Sequence, residues 1–131
     1  MDEQVLKELF LKTRHLYVKL TEFEELTRQL GEAVSRRDEV SVQMTLNMRA
    51  EPAHQLQEID QQLRRRLLEL PVEEAIRAKE ILEGAEAGSP QEEQLCAQVA
   101  QNRRLLQRCQ EMDKRISLSM DGKRSFYNKF R

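Results

Sequence analysis

The chain has 131 residues, a length typical of one domain, and its 22 Lys and Arg against 23 Asp and Glu give a net charge of -1, which argues against a general nucleic-acid binder. Only four Gly and three Pro are present, so there are too few turns for a sandwich or barrel of many short strands. The two cysteines stand outside any metal-ligand pattern, which argues against a disulfide framework and a structural zinc site.

The first segment of the chain carries a heptad pattern. Apolar and small residues recur there in alternating steps of three and four, as in a coiled coil, at Leu6, Leu9, Thr13, Leu16, Leu20, Phe23, Thr27, Leu30 and Val34. Gly31 falls inside the pattern at some cost in helix propensity. The polar stretch from Ser35 to Asp38 interrupts it, and Asp38 is suited to cap the next helix. The sequence therefore predicts a helical hairpin.

The second segment, residues 40–70, predicts another long helix that contains a proline. Pro52 removes one backbone donor, so the segment forms either a helix kinked near Glu51 or two shorter helices, and the sequence leaves both open. Residues 40–48 alternate apolar and polar as a strand does. Their helical flanks and the lack of a partner strand favour a helix.

On that helix, apolar residues lie on two faces. Val42 and Leu46 form one face, and roughly opposite it lie Val40, Met44 and Met48. Methionine offers flexible surface for helical partners, although its ordinary role is to fill gaps in a core. Because Val42 and Leu46 already supply a core face, the stripe of Val40, Met44 and Met48 is interpreted as an interface.

The rest of the chain predicts a short helix and a last long one. Leu70-Pro71 ends the second helix, a short helix follows from Val72 to Leu82, and Gly84 is placed to end it. Ser89, Pro90 and Glu92 read as N-cap, N1 and N3 of the last helix. Its seam is predicted at Leu95, Val99, Asn102, Leu106, Cys109, Asp113, Ile116 and Met120, widened by Leu105 and Met112. Asn102 is expected to fix the helix register.

The chain ends in a basic aromatic tail. We predict a helical domain over residues 1–121 and a tail over 122–131, whose last nine residues, KRSFYNKFR, contain Phe126, Tyr127 and Phe130 and no acid. The tail either docks on the acidic body or binds an anionic partner. Docking or protein binding is favoured over nucleic acid, and both of the former stay open.

Catalysis is not expected. His15 and His54 lie on different predicted helices, and no serine or cysteine stands in a nucleophile motif. No metal or cofactor is predicted. The acidic start MDEQVLKELF is unlike a signal peptide, and no apolar run reaches the ~18 residues of a membrane span. A cytoplasmic location is expected.

The layout of the helices resembles the FlgN-type flagellar export chaperones. The resemblance is carried by the break AVSRRDEVSVQM and by the last helix, EEQLCAQVAQNRRLLQRCQEM. In that family the break holds a small polar residue and an Asp, and the last helix an Asn followed by a Leu pair, here Asp38 and then Asn102 with Leu105 and Leu106. It covers most of the chain by layout but few residues by motif. It implies a cytoplasmic chaperone, without catalytic residues, that holds hook-filament junction subunits before secretion by binding an amphipathic helix near the client's end.

These observations predict an all-α fold, an antiparallel bundle of three long helices and a short one with coiled-coil-like packing. The predicted function is an export chaperone or adaptor for an amphipathic helix of a secreted flagellar subunit, without an enzymatic activity. The alternative is a homodimeric structural or regulatory coiled coil whose tail contacts an acidic partner or nucleic acid. The predicted partner-binding residues are Val40, Met44, Met48, Leu105, Met112, Met120, Phe126, Tyr127 and Phe130.

Overall fold

The computed structural model describes residues 1–121, and the predicted tail with Phe126, Tyr127 and Phe130 lies outside them. The described residues form four α-helices and a single 3₁₀ turn and contain no strand, which confirms the all-α prediction. The elements are α1 (Glu3–Arg36), α2 (Glu39–Leu68), α3 (Val72–Leu82), the turn Pro90–Glu92 and α4 (Glu93–Asp121).

The predicted hairpin joins α1 and α2. Arg37 adopts a left-handed conformation with φ 56°, and the Asp38 side chain accepts hydrogen bonds from the backbone N–H and the hydroxyl of Ser41. These bonds lower the pKa of the Asp38 carboxyl. Asp38 thus caps α2, as its sequence position predicts.

The second helix is continuous through its proline. Pro52 is buried inside α2, which extends without a break to Leu68. The alternative of two shorter helices is therefore excluded. Contacts with α1 join Lys12 to Gln62 and Arg49 to Thr27, so residue numbers rise along one helix as they fall along the other.

The last helix packs along the other side of α1. The Asn102 amide donates to the carbonyl of Thr13, and Arg108 donates to Glu24, so residue numbers rise together along α1 and α4. The first helix contacts both α2 and α4 over most of its length, whereas α2 and α4 hardly touch. The fold is therefore built around α1, with a gap between the two outer helices.

The core follows the heptad pattern of α1. Seven of its nine predicted seam residues are buried and Leu16 and Phe23 are half-buried, the buried ones being Leu6, Leu9, Thr13, Leu20, Thr27, Leu30 and Val34. A Cβ atom added at Gly31 would meet the Ile116 side chain at 3.4 Å, an ordinary contact, so an alanine would also fit between α1 and α4 at this position.

The connection from α3 to α4 is held by an ion pair. Gly84 ends α3 with φ 104°, a conformation that favours glycine. The Ser89 side chain makes no capping hydrogen bond, so its predicted N-cap role is wrong at the side-chain level. Instead, buried Glu92 accepts from the Gly88 N–H at 2.8 Å and from Arg77 Nη2 at 2.6 Å.

The seam of α4 differs from the prediction at the leucine pair. Leu105 is only 2% exposed and packs near Leu20 and Cys109, whereas Leu106 is 45% exposed. Leu105 and not Leu106 therefore fills the core. The reason is that α4 packs mainly on α1, and the side of α4 that faces α2 stays largely open.

Candidate functional site: an apolar groove between α2 and α4

A groove of about 910 Å³ opens where α2 and α4 separate. The first helix forms its floor, α2 and α4 form two walls, and α3 closes part of it through contacts with both. It follows from the arrangement of the helices, because only α1 fills the space between the outer pair.

The lining of the groove is mostly apolar. Leu16 and Leu20 come from α1, and Val99 and Leu106 come from α4. The walls contributed by α2 and α3 add seven further apolar residues, Leu56, Leu63, Leu67, Leu68, Ala75, Ile76 and Leu82. Covering a surface of this composition with a second apolar face lowers the free energy, because apolar area is removed from water.

Several of these side chains are exposed at the mouth of the groove. Leu68 is 86% exposed, and Ile76 and Leu106 are about half exposed. Neighbouring large apolar side chains exposed around one depression mark an interaction surface more often than isolated ones do. The mouth therefore combines a depression with exposed apolar side chains around it.

Charged side chains form the rim. On α2, Arg64 Nε lies 3.0 Å from Asp60 Oδ2, and on α3, Lys79 Nζ lies 3.9 Å from Glu83 Oε1. Arg103 of α4 makes no ion pair with another described residue. The rim thus carries three cations against two anions, and its one uncommitted cation would favour an acidic group on a partner.

The polar part of the floor is internally satisfied. Asn102 Nδ2 donates to the Thr13 carbonyl at 2.8 Å, and Asn102 Oδ1 accepts from the buried amide of Gln98 at 2.9 Å. Among the described residues no buried side-chain polar atom lacks a hydrogen bond. Asn102 therefore fixes the alignment of α4 on α1, in line with the role expected from its place on the seam.

One cross-link joins the outer helices beyond the groove. Arg49 of α2 donates to Asp113 of α4 at 2.7 Å and to the Thr27 hydroxyl of α1 at 3.2 Å. Its guanidinium lies 4.8 Å from the ring centroid of Phe23, within cation-π range. The pair holds α2 and α4 together where they do not pack directly.

The predicted partner-binding residues do not form one surface. Leu105 and Met120 are buried in the core, so neither is available to a partner in this structure. Met112 is half-buried in a smaller depression, of about 520 Å³, between α1 and α4. Val40, Met44 and Met48 are each more than half exposed but do not line the groove.

The groups considered for catalysis stay apart. His15 and His54 are exposed on different helices, and His54 Nε2 lies 2.8 Å from Glu58. Burial raises the pKa of the Cys109 thiol to about 11, which lowers its thiolate fraction at neutral pH. Over residues 1–121 no group of three or more His, Cys, Asp or Glu is placed to hold a metal ion.

Comparisons with known proteins assign no family to the chain. No family model matches the chain, and no curated protein and no solved structure matches it. In the described part of the chain, none of the helices is long and apolar enough to cross a membrane.

The sequence pattern did not predict the groove. The sequence analysis assigned Leu16 and Leu106 to buried seams, on the assumption that every seam faces another helix. The available signal was the set of apolar residues beyond the seams, chiefly Leu68 and Ile76. The helical periodicity of the sequence does not reveal which helices separate. These exposed residues therefore could not predict where a groove would form.

Proposed function

We propose that this chain is a chaperone or adaptor that binds an amphipathic helix of a partner protein in the groove between α2 and α4. The observation that carries the proposal is the apolar lining with exposed Leu68, Ile76 and Leu106 at its mouth. An amphipathic helix offers an apolar stripe to such a groove and keeps its polar face in water.

The size of the groove is compatible with this occupant. Its walls run from Leu56 to Leu68 on α2, twelve residues apart, which corresponds to about 18 Å of helix. A partner helix of three to four turns would cover that length. Apolar area covered in this way contributes roughly 25 cal/mol per Å² before the ordering costs of association.

The chemistry of the partner follows from the rim. An acidic residue flanking the apolar stripe of the bound helix would meet Arg103, whereas Asp60 with Arg64 and Lys79 with Glu83 offer paired charges. The resemblance to FlgN-type chaperones suggests the client class, a secreted flagellar subunit of the hook-filament junction whose terminal helix is held before export. This role involves no reaction, resident cofactor or metal, and it places the protein in the cytoplasm.

The packing that the heptad pattern predicts supports the same role. In an antiparallel, coiled-coil-like bundle a fourth long helix would fill the gap between α2 and α4. The short α3 covers only part of it. A partner helix would then complete the bundle.

The test is titration of the terminal-helix peptide of a hook-filament junction subunit from the same organism against the purified chain, read by calorimetry. Leu106→Glu places a charge at the groove mouth, and we expect it to weaken binding by about tenfold or more, because a buried charge without a partner is costly. Leu118→Glu is the matched control, since Leu118 is an exposed leucine of α4 that does not line the groove.

The outcomes separate the parts of the proposal. Binding that Leu106→Glu weakens and Leu118→Glu leaves unchanged supports a groove site. Equal binding by both variants and the original chain would place the peptide elsewhere. If junction-subunit peptides do not bind at all, while an unrelated acidic amphipathic helix binds in a Leu106-dependent way, the client class is wrong and the groove site stands.

A further inference from the structure

A second apolar surface lies on α2, away from the groove. Val40, Met44 and Met48 are 70%, 57% and 53% exposed and follow one another at helical spacing on one face. Core residues such as Val42 and Thr45 lie on the other side of the helix. This stripe of three residues is more apolar than a solvated helix face requires.

Opposite charges lie at the two ends of this stripe. Val40 and Met48 are each four residues from Met44, Glu51 follows Met44 by seven residues on α2, and Arg37 lies at the other end, in the left-handed turn just before α2. Arg37 and Glu51 are both exposed, and neither forms an ion pair with another residue of the described chain. The neighbouring Arg36 is different, because it lies 3.9 Å from Asp38.

We infer that a second copy of this chain covers the stripe, with α2 packed against α2 of the other copy in opposite directions about a two-fold axis at Met44. In this register Met44 meets its own copy, and Val40 meets Met48 across the axis. Arg37 then lies opposite Glu51 at both ends. A two-fold contact requires one surface that complements itself, and this surface does so through the opposite charges at its two ends.

The size of the contact sets its strength. Its helical part spans residues 39–51 of α2, about three and a half turns from each copy. Interfaces of about 1,200 Å² or less in total are typical of weak, transient association. The dimer is therefore expected to form at high protein concentration and to dissociate on dilution.

Sedimentation equilibrium over a wide concentration range measures this association. Met44→Glu places two like charges on the axis, and we expect it to weaken dimerisation by about tenfold or more. Leu11→Glu makes the same kind of change at an exposed apolar residue of α1 outside the stripe, and it should leave dimerisation unchanged. A chain that stays monomeric at every concentration, or a dimer that Met44→Glu does not weaken, overturns the inference.

Charge exchange tests the register itself. Arg37→Glu and Glu51→Arg should each weaken the dimer, because each puts like charges opposite one another at both ends. The double variant restores opposite charges and should recover most of the original affinity. A double variant no better than the single ones overturns the register. Circular dichroism of every variant checks that α2 is intact, and a dimer lost in Leu106→Glu would instead place the contact in the groove.

Discussion

Glu92 shows how a single side chain holds the turn before α4. Its carboxylate accepts from Arg77 and from the Gly88 N–H, and these bonds lower its pKa from the usual 4.5 to about 2. A carboxyl whose pKa is lower in the folded state contributes stability that is fully present above pH 4.5. That contribution is lost as the pH falls from about 4.5 to about 2.

We therefore predict that Glu92→Gln lowers the free energy of unfolding at neutral pH by about 1–3 kcal/mol, since it weakens charge-assisted bonds to a buried site. Urea unfolding at several pH values measures this, and the loss should shrink towards pH 2. Glu93→Gln is the control, because its exposed carboxylate makes no ion pair with a described residue. An equal loss in both variants would contradict the prediction.

For single residues, the type of residue and its position in the sequence predict some hydrogen bonds but not others. Asp38 was recognisable as an N-cap because short polar side chains before an apolar pattern act locally. Ser89 looked equally suitable, but Glu92 pairs with Arg77, which lies fifteen residues earlier on another helix. A contact at that distance depends on how α3 folds back, and local signals do not contain it.

At the scale of the helices, the ion pair of Arg49 with Asp113 joins α2 to α4. Arg49 reaches Asp113 of α4, Thr27 of α1 and the ring of Phe23, so it contacts both neighbouring helices. Its side chain is 20% exposed and that of Asp113 is 41% exposed. Water therefore screens the ion pair in part, and the contribution of the pair to the free energy of unfolding is modest.

A double-mutant cycle of Arg49→Met and Asp113→Asn should give a coupling energy of about 0.5–1 kcal/mol in the free energy of unfolding. Arg49→Met should cost more than Asp113→Asn, because it also removes the bond to Thr27. The exposed pair of Arg64 and Asp60 on α2 is the control and should give a coupling of about 0.3 kcal/mol. A coupling no larger than the control would show that the link does not hold the two helices together.

The elements themselves could be read from the sequence far better than their contacts. The heptad pattern predicted α1 and its buried face, and Pro71 and Gly84 marked the ends that the structure has. Pro52 did not split α2, because helix packing on both sides of a proline outweighs one lost hydrogen bond. The choice between Leu105 and Leu106 depended on which side of α4 faces α1, which a single helix does not specify.

For the whole molecule, the groove and the stripe on α2 are separate surfaces. The stripe ends at Met48 and the groove begins at Leu56, eight residues or about 12 Å farther along α2. The two surfaces share no residue. Changes at well-separated sites without shared partners usually add within about 0.5 kcal/mol.

We therefore predict that partner binding and self-association are thermodynamically independent. Met44→Glu should weaken the dimer and leave the affinity of the groove for a peptide within about twofold, which corresponds to about 0.4 kcal/mol. Leu106→Glu should do the reverse. Calorimetric titration and sedimentation of both variants measure the two affinities, and linkage requires any coupling to act equally in both directions. If peptide binding instead dissolved the dimer, the two surfaces would compete, and one of them would have been assigned to the wrong face of α2.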